Sequence, residues 1–209
     1  MKTLNPAPSK GGVEGHRRLI IAITGSPGVG KTTIARLLAE RLKALHIDLS
    51  KLAIERGLVE EWDERRETAV VDIKSVRREV ERLLKNHNRV VVEGHYAHDV
   101  VPGDAWIFVL RREPWRLREE LEHRGYGEGK VKENVEAELL DICLSEAVES
   151  HGAERIHEID TTDKTAEEVV EEIIEVLEGR RPRRIGVVDW LGRPKAKNLL
   201  EWLRDVSHR

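Results

Sequence analysis

Residues Gly25-Ser26-Pro27-Gly28-Val29-Gly30-Lys31-Thr32 satisfy the pattern G-x-x-x-x-G-K-[ST] at every required position. The octet follows an apolar run, Leu19-Ile20-Ile21-Ala22-Ile23, and leads into a helical pattern, Thr33-Ile34-Ala35-Arg36-Leu37-Leu38. That context constrains the fold more than the eight letters do. A glycine-rich loop between a strand and a helix turns successive backbone N–H groups inward, and the positive end of the helix dipole faces the same cavity. Such a cavity takes polyphosphate oxygens. The pattern assigns Lys31 to the β- and γ-phosphates and the Thr32 hydroxyl to Mg²⁺. The expectation is a chain that binds a nucleoside triphosphate.

At 209 residues the chain suits one α/β domain with a small addition and can bury a sizeable core. A net charge of −3 and an isoelectric point near 6.3 exclude an overall basic nucleic-acid binder, though not a local basic patch. The single cysteine, Cys143, excludes an intramolecular disulfide and a cysteine-based zinc cluster. Its apolar neighbours Leu139, Leu140, Ile142 and Leu144 point to a buried helical thiol. No stretch approaches about 18 uninterrupted apolar residues, and the N-terminus carries no apolar signal core. A soluble, cytoplasmic protein without membrane contact is expected. Charged residues make up 36% of the chain and glutamine is absent, as on a hyperthermophile surface rich in ion pairs.

Residues 1–17, with Pro6, Pro8, Gly11, Gly12 and Gly15, read as a mobile tail. Helical spacing covers 33–43, and His46-Ile47-Asp48-Leu49 reads as a short strand. Ser50 is placed to cap a brief helix that ends at Gly57. Residues 58–71 are acidic and irregular. A helix opens near Asp72, and the runs Arg89–Val92 and Ala105–Leu110 read as buried strands. Pro114 starts a further helix. After a break at Arg124-Gly125-Tyr126-Gly127, one long helix is expected from about Val131 to Ser150. Ile156–Ile159 reads as a fifth strand and Thr165–Leu177 as an amphipathic helix.

Strands alternating with helices predict a parallel sheet covered on both faces, a three-layer α/β/α domain over 18–178. Residues 179–209 read as an appendage. It comprises a basic hinge, Gly179-Arg180-Arg181-Pro182-Arg183-Arg184, an added strand at Ile185–Val188, and a closing helix through Leu199, Leu200, Trp202 and Leu203.

The strand at Val90–Val92 ends in Glu93-Gly94-His95. In phosphate-loop proteins the neighbouring strand commonly delivers a carboxylate toward Mg²⁺, directly or through water, and open α/β sheets bind ligands at this end. Glu93 is the candidate acid, Gly94 a sharp turn, and His95 a group to orient water, touch the γ-phosphate or move a proton. Phosphoryl transfer also needs cations on the equatorial oxygens. Among Arg111, Arg112, Arg116, Arg118 and Arg124, the last stands out because Gly125 and Gly127 make its segment hinge-like, as a closing lid requires. Asp160-Thr161-Thr162-Asp163-Lys164 admits two readings: an N-cap at Thr162 or Asp163, or a loop packed on the adenine ring that makes Thr162 an ATP-binding residue.

These motifs resemble the adenylate kinase isoenzyme 6 family, atypical adenylate kinases and NTPases of small-ribosomal-subunit assembly. The resemblance runs from about Leu19 to Trp190. It rests on Ile23–Thr33, Glu93-Gly94-His95, Val109-Leu110-Arg111 and Arg124-Gly125-Tyr126. Glu133–Leu139 and Ile185-Gly186-Val187-Val188-Asp189-Trp190 are similar to archaeal members in particular. It implies an ATP site at Gly28, Val29, Gly30, Lys31, Thr32 and Thr33, with Arg124 reaching ATP from a lid near 123–133. It implies an AMP-binding segment near 48–71, Mg²⁺ at Thr32 and Glu93, and transfer from ATP to AMP giving two ADP. It further implies ATPase activity that needs Glu93 and His95. The partners it implies are a platform protein of the small ribosomal subunit and ribosomal RNA. Family members usually carry Asp where this chain has Glu93; the extra methylene moves the carboxylate by about one C–C bond and leaves direct or water-mediated metal contact open. An assembly NTPase with incidental kinase activity and a kinase for another small acceptor are the competing readings.

Overall fold

Runs of β-branched and aliphatic residues bounded by polar turns become strands, and the helical stripes between them become crossovers. A computed structural model describes residues 18–63 and 68–206. The tail expected over 1–17 lies outside the described residues. In chain order the first elements are β1 (Leu19–Thr24), α1 (Lys31–Leu42), β2 (Leu45–Asp48), α2 (Leu49–Glu55), β3 (Val59–Asp63), β4 (Thr68–Val71) and α3 (Ile73–Lys85). They continue with β5 (Arg89–Glu93), α4 (Ala97–Val100), β6 (Trp106–Arg111), α5 (Pro114–His123), α6 (Glu128–Leu139) and α7 (Ile142–His151). The last are β7 (Ile156–Asp160), α8 (Ala166–Leu177) and α9 (Ala196–Val206).

Five strands form one parallel sheet in the order β2-β5-β1-β6-β7. Side chains alternate between its faces. Ile21, Ile23, Val91, Phe108, Leu110 and Ile159 join the cluster that holds Ile34, Leu38, Leu117, Val135 and Ile173. Ile20, Ala22, Val90, Val92, Ile107 and Val109 join the other, with Leu49, Val76, Val80 and Ala147. Helices therefore cover both faces, and the expected three-layer α/β/α architecture with five parallel strands is the one observed. Among the described residues no helix is long and apolar enough to cross a membrane.

Several local expectations are corrected. The irregular stretch 58–71 contains an antiparallel hairpin, β3 paired with β4. The cap of α2 is Asp48, whose side chain accepts from the Lys51 N–H, so the helix begins one residue before Ser50. The long helix expected over 131–150 is two helices, because Asp141 adopts a left-handed conformation with φ 57°. Thr165 caps α8 through a reciprocal capping box with Glu168, not Thr162 or Asp163. Ile185–Val188 is not a strand: Gly186 takes φ 71°, and the approach to β7 is made by the Glu158 N–H donating to the Arg184 carbonyl.

The C-terminal addition is tied firmly to the sheet. Val188, Trp190, Leu199 and Leu203 enter the same core cluster as α1 and α8. In the basic hinge, Arg180 pairs with Glu171, Glu175 and Glu178, and Arg181 pairs with Glu172 and Glu175. Arg183 lies over the Trp106 ring. The charge run is thus largely taken up by α8. Trp190 is 1% exposed and donates its indole N–H to Glu138. Trp190→Ala removes both the packing and that donor and is expected to cost about 3–5 kcal/mol in urea unfolding. A loss under about 1 kcal/mol would mean that this segment is not part of the folding core.

Candidate functional site

β1 ends at Thr24 and the chain turns at once through the glycine loop into α1. Two glycines are there because nothing larger fits. A Cβ at Gly25 would lie 2.3 Å from the Leu110 carbonyl oxygen, and one at Gly28 would lie 2.7 Å from Leu117 Cδ1. Both also hold positive φ, 135° and 93°. The loop is therefore seated on β6 and α5. Gly30, the residue before α1, is left-handed and offers no side-chain cap, so the first-turn N–H groups of the helix stay available to an anion.

Lys31 Nζ donates to the carbonyls of Gly25 at 2.8 Å and Ser26 at 2.9 Å. Burial lowers its pKa, opposed chiefly by the nearby Cys143, Glu93 and Glu138. Register brings Glu93 beside Ile23 on one flank and Asp48 on the other, beyond the C-terminal ends of β1, β2 and β5. Glu93 is 4% exposed and accepts a hydrogen bond from Thr32, while burial raises its pKa. His46 Nε2 stands 4.0 Å from its Oε1. The chain bends at Gly94 as expected, with the Ala97 N–H donating to its carbonyl, and a Cβ there would also press on Leu49 at 3.0 Å.

A cleft of about 630 Å³ opens over these groups. Of the expected residues it brings together Gly28, Lys31, Thr32, Glu93, His95 and Arg124. Val29, Gly30, Thr33 and Thr162 do not line it. The Val29 side chain is buried in the core, and Thr33 is exposed on the outer side of α1. Thr162 Oγ1 accepts from the Glu113 N–H and donates to Asp160, holding a loop together. Its neighbour Thr161 donates to the Arg111 carbonyl, with the Val29 carbonyl at 3.2 Å, which keeps that loop beside the glycine loop.

Arg124 follows α5 at the rim, half-exposed and donating to Glu120 at 2.7 Å. Three of the other arginines are engaged elsewhere. Arg111 is buried in a network with Glu138, Asp141 and Glu158, Arg116 pairs with Glu113 and Asp163, and Arg118 pairs with Glu122 and stacks on Trp202. The cleft is also lined by Asp48, Ser50, Tyr126 and Lys130, expected only as part of the segments 48–71 and 123–133, and by Asn134, Cys143 and Glu146, for which no site role was expected. Asp48 carried a usable signal, since it ends a strand just as Glu93 does. Cys143 is half-buried at the cleft wall, not enclosed in the core, and burial pushes its thiol up to about 11.

The oxygens of Thr32, Glu93 and Asp48 suit Mg²⁺, a hard cation that keeps several waters and takes one or two carboxylates plus phosphate oxygens. The site thus fits the implied ion, with Thr32 and Glu93 adjacent and hydrogen-bonded. His95 has exposed surface in the cleft, yet the protein around it desolvates the ring, and with Lys31 nearby its pKa falls to about 4. Its ring makes an edge-on contact with Tyr96, 4.7 Å between centroids.

A parallel sheet with this loop at the end of its central strand defines a P-loop nucleotide-binding protein with a nucleoside-monophosphate-kinase-like core. Residues 21–141 match the AAA domain family. A protein named "Putative adenylate kinase" from Pyrococcus abyssi is 48% identical over 172 residues, covering 82% of this chain and 91% of its own. A namesake from Methanocaldococcus jannaschii is 41% identical over 170 residues, covering 81% and 92%. The chain belongs to this archaeal family. Among solved structures, shikimate kinase from Acinetobacter baumannii superposes with a TM-score of 0.58 at 16% identity, covering 79% of this chain and 96% of that one. Shikimate kinase from Bacteroides thetaiotaomicron gives 0.51 at 23% identity, over 77% and 98%. These two share the fold.

A His95 pKa near 4 means that the imidazole is neutral throughout the physiological range and becomes cationic only in acid. An NMR titration of the ligand-free protein should place the His95 midpoint near pH 4. A midpoint above pH 6 would contradict the desolvated environment.

Proposed function

We propose that this chain transfers the γ-phosphoryl group of ATP to AMP, giving two ADP, with slower hydrolysis of ATP as a side activity. The observation that carries the proposal is the convergence of Lys31, Thr32, Glu93, His95 and Arg124 on one cleft at the strand ends. The adenylate kinase name carried by its archaeal relatives supports AMP as the acceptor.

In this reading the loop N–H groups and Lys31 hold the β- and γ-phosphates of ATP. An oxygen of the AMP phosphate attacks the γ-phosphorus, the bond from that phosphorus to the β,γ-bridging oxygen breaks, and ADP leaves with the electron pair. Thr32 and Glu93 would hold Mg²⁺, which would supply charge neutralisation on the phosphates. Lys31, already desolvated, interacts strongly with the charge that builds on the transferring group. Arg124 reaches the phosphates by exchanging its exposed pair with Glu120, a bond worth only about 0–1 kcal/mol. The acceptor is held by the segment 48–71. That segment contributes Asp48 and Ser50 to the cleft and carries Trp62, an exposed ring on the hairpin suited to stack on a base. Neutral His95 orients a water for the hydrolytic side reaction and does so without adding charge.

The finer assignment to the isoenzyme 6 type, with a small-subunit platform protein and ribosomal RNA as partners, rests on the motif resemblance. Arg180 and Arg181 of the basic hinge pair with acids of α8, partly exposed contacts of the same exchangeable kind as that of Arg124.

A coupled assay with Mg-ATP and AMP tests the proposal. ADP should form at two equivalents per AMP consumed, and Lys31→Ala should lower kcat/KM by about 10²-fold or more. ADP formation unchanged by AMP would leave only an NTPase.

A further inference from the structure

Glu138 is a carboxylate on α6, 2% exposed. Its Oε1 accepts from Arg111 Nε at 2.8 Å, Trp190 Nε1 at 3.1 Å and the Arg112 backbone N–H at 3.2 Å. Its Oε2 accepts from the hydroxyl of Ser26 at 2.7 Å. Ser26 is the second residue of the glycine loop and is itself 1% exposed. Its carbonyl oxygen in turn accepts from Lys31 Nζ. A continuous chain of bonds thus runs from Arg111 and Trp190 through Glu138 and Ser26 to the ammonium at the phosphate site.

Nothing in the loop pattern asks for a hydroxyl at Ser26, which is one of the free positions of G-x-x-x-x-G-K-[ST]. Nor does the anchoring of Glu138 need Ser26, since three donors already hold Oε1. The Oε2 bond adds one specific thing: it fixes the peptide that aims Lys31. Charge-assisted hydrogen bonds to a buried carboxylate are short and about twice as strong as neutral ones.

We propose that Glu138 is a positioning residue for the donor site, acting through the Ser26 hydroxyl to hold the glycine loop and Lys31 in the geometry that takes the triphosphate. The proposal rests on the donor-site reading given above but not on the identity of the acceptor. It makes the loop depend on a residue 112 positions away in sequence. It also ties the loop to Trp190 of the C-terminal segment through the same carboxylate.

The test is calorimetric titration with the magnesium complex of the imido analogue of ATP. It compares the full-length protein with Ser26→Ala, Glu138→Gln and the double variant. Ser26→Ala should weaken binding about tenfold. Glu138→Gln keeps the shape and several acceptor contacts but loses the charge, and should weaken binding about threefold. Because both changes act on one bond, the double variant should bind no more weakly than Ser26→Ala alone. Val188→Ala, which loosens the same core cluster without removing a bond to Glu138, should lower the urea midpoint and leave nucleotide affinity unchanged. Independent, multiplying losses from Ser26 and Glu138 would overturn the proposal, as would a loss from Val188→Ala equal to that from Glu138→Gln. Failure of the unaltered protein to bind the analogue would overturn the donor-site reading as well.

Discussion

Arg111 closes β6 with its guanidinium buried among Glu138, Asp141 and Glu158, and much of the molecule is organised around that charge. A cation taken out of water is tolerated only when paired and hydrogen-bonded throughout. Here Nε and one terminal nitrogen bond Glu138 and its carbonyl, the other terminal nitrogen bonds Glu158, and Asp141 completes the set. The pairing draws α6, the turn after it, and β7 onto the end of one strand. Glu158 passes the link on by accepting the Val187 N–H, and Glu138 does so by accepting from Trp190. Removing one member of such a set leaves a buried charge uncompensated, a cost of about 3–5 kcal/mol. The same carboxylate that neutralises Arg111 also accepts from Ser26 of the glycine loop, so the geometry of that loop and the integrity of the core share a residue.

The cleft itself is built from opposed desolvation effects. Burial lowers the pKa of Lys31 and raises that of Glu93, each opposed by the charge of the other. His95 is driven neutral by the same environment. A polyphosphate with its counter-ion would restore charge balance on both sides, offering anionic oxygens to Lys31 and a cation to Glu93. Preorganised groups of this kind need little rearrangement as charge moves, which is the main electrostatic advantage a phosphoryl-transfer site can have.

The central sheet could be read from the sequence because each strand is a short β-branched run bounded by turn residues, and a strand buried on both faces leaves little ambiguity. The glycine loop, Glu93 and His95 were legible because strand ends announce where ligands meet such a sheet. Other features failed for identifiable reasons. Apolar spacing continues unbroken from Leu139 and Leu140 into Ile142 and Leu144, so nothing local signals the left-handed turn at Asp141. The hairpin was hidden because Glu60, Glu61 and Trp62 are all exposed, which removes the alternation that marks a half-buried strand. Glu138 sits among other charged residues of its helix, with nothing local to set it apart. Its importance comes from Arg111, Ser26 and Trp190, which are remote in sequence, and no spacing rule reports that. Arg111 is the converse case: an arginine at the end of a strand resembles a phosphate ligand until its buried partners are seen.

A cleft that joins donor to acceptor should hold a triphosphate on the glycine loop and a second nucleotide on the segment that includes the β3–β4 hairpin. Hydrogen–deuterium exchange with and without a bisubstrate analogue, two adenosines joined by five phosphates, tests it directly. Slowed exchange is expected at both Gly25–Thr32 and residues 48–71, together with the rim around Arg124. Slowed exchange confined to the glycine loop, with residues 48–71 unchanged, would contradict it.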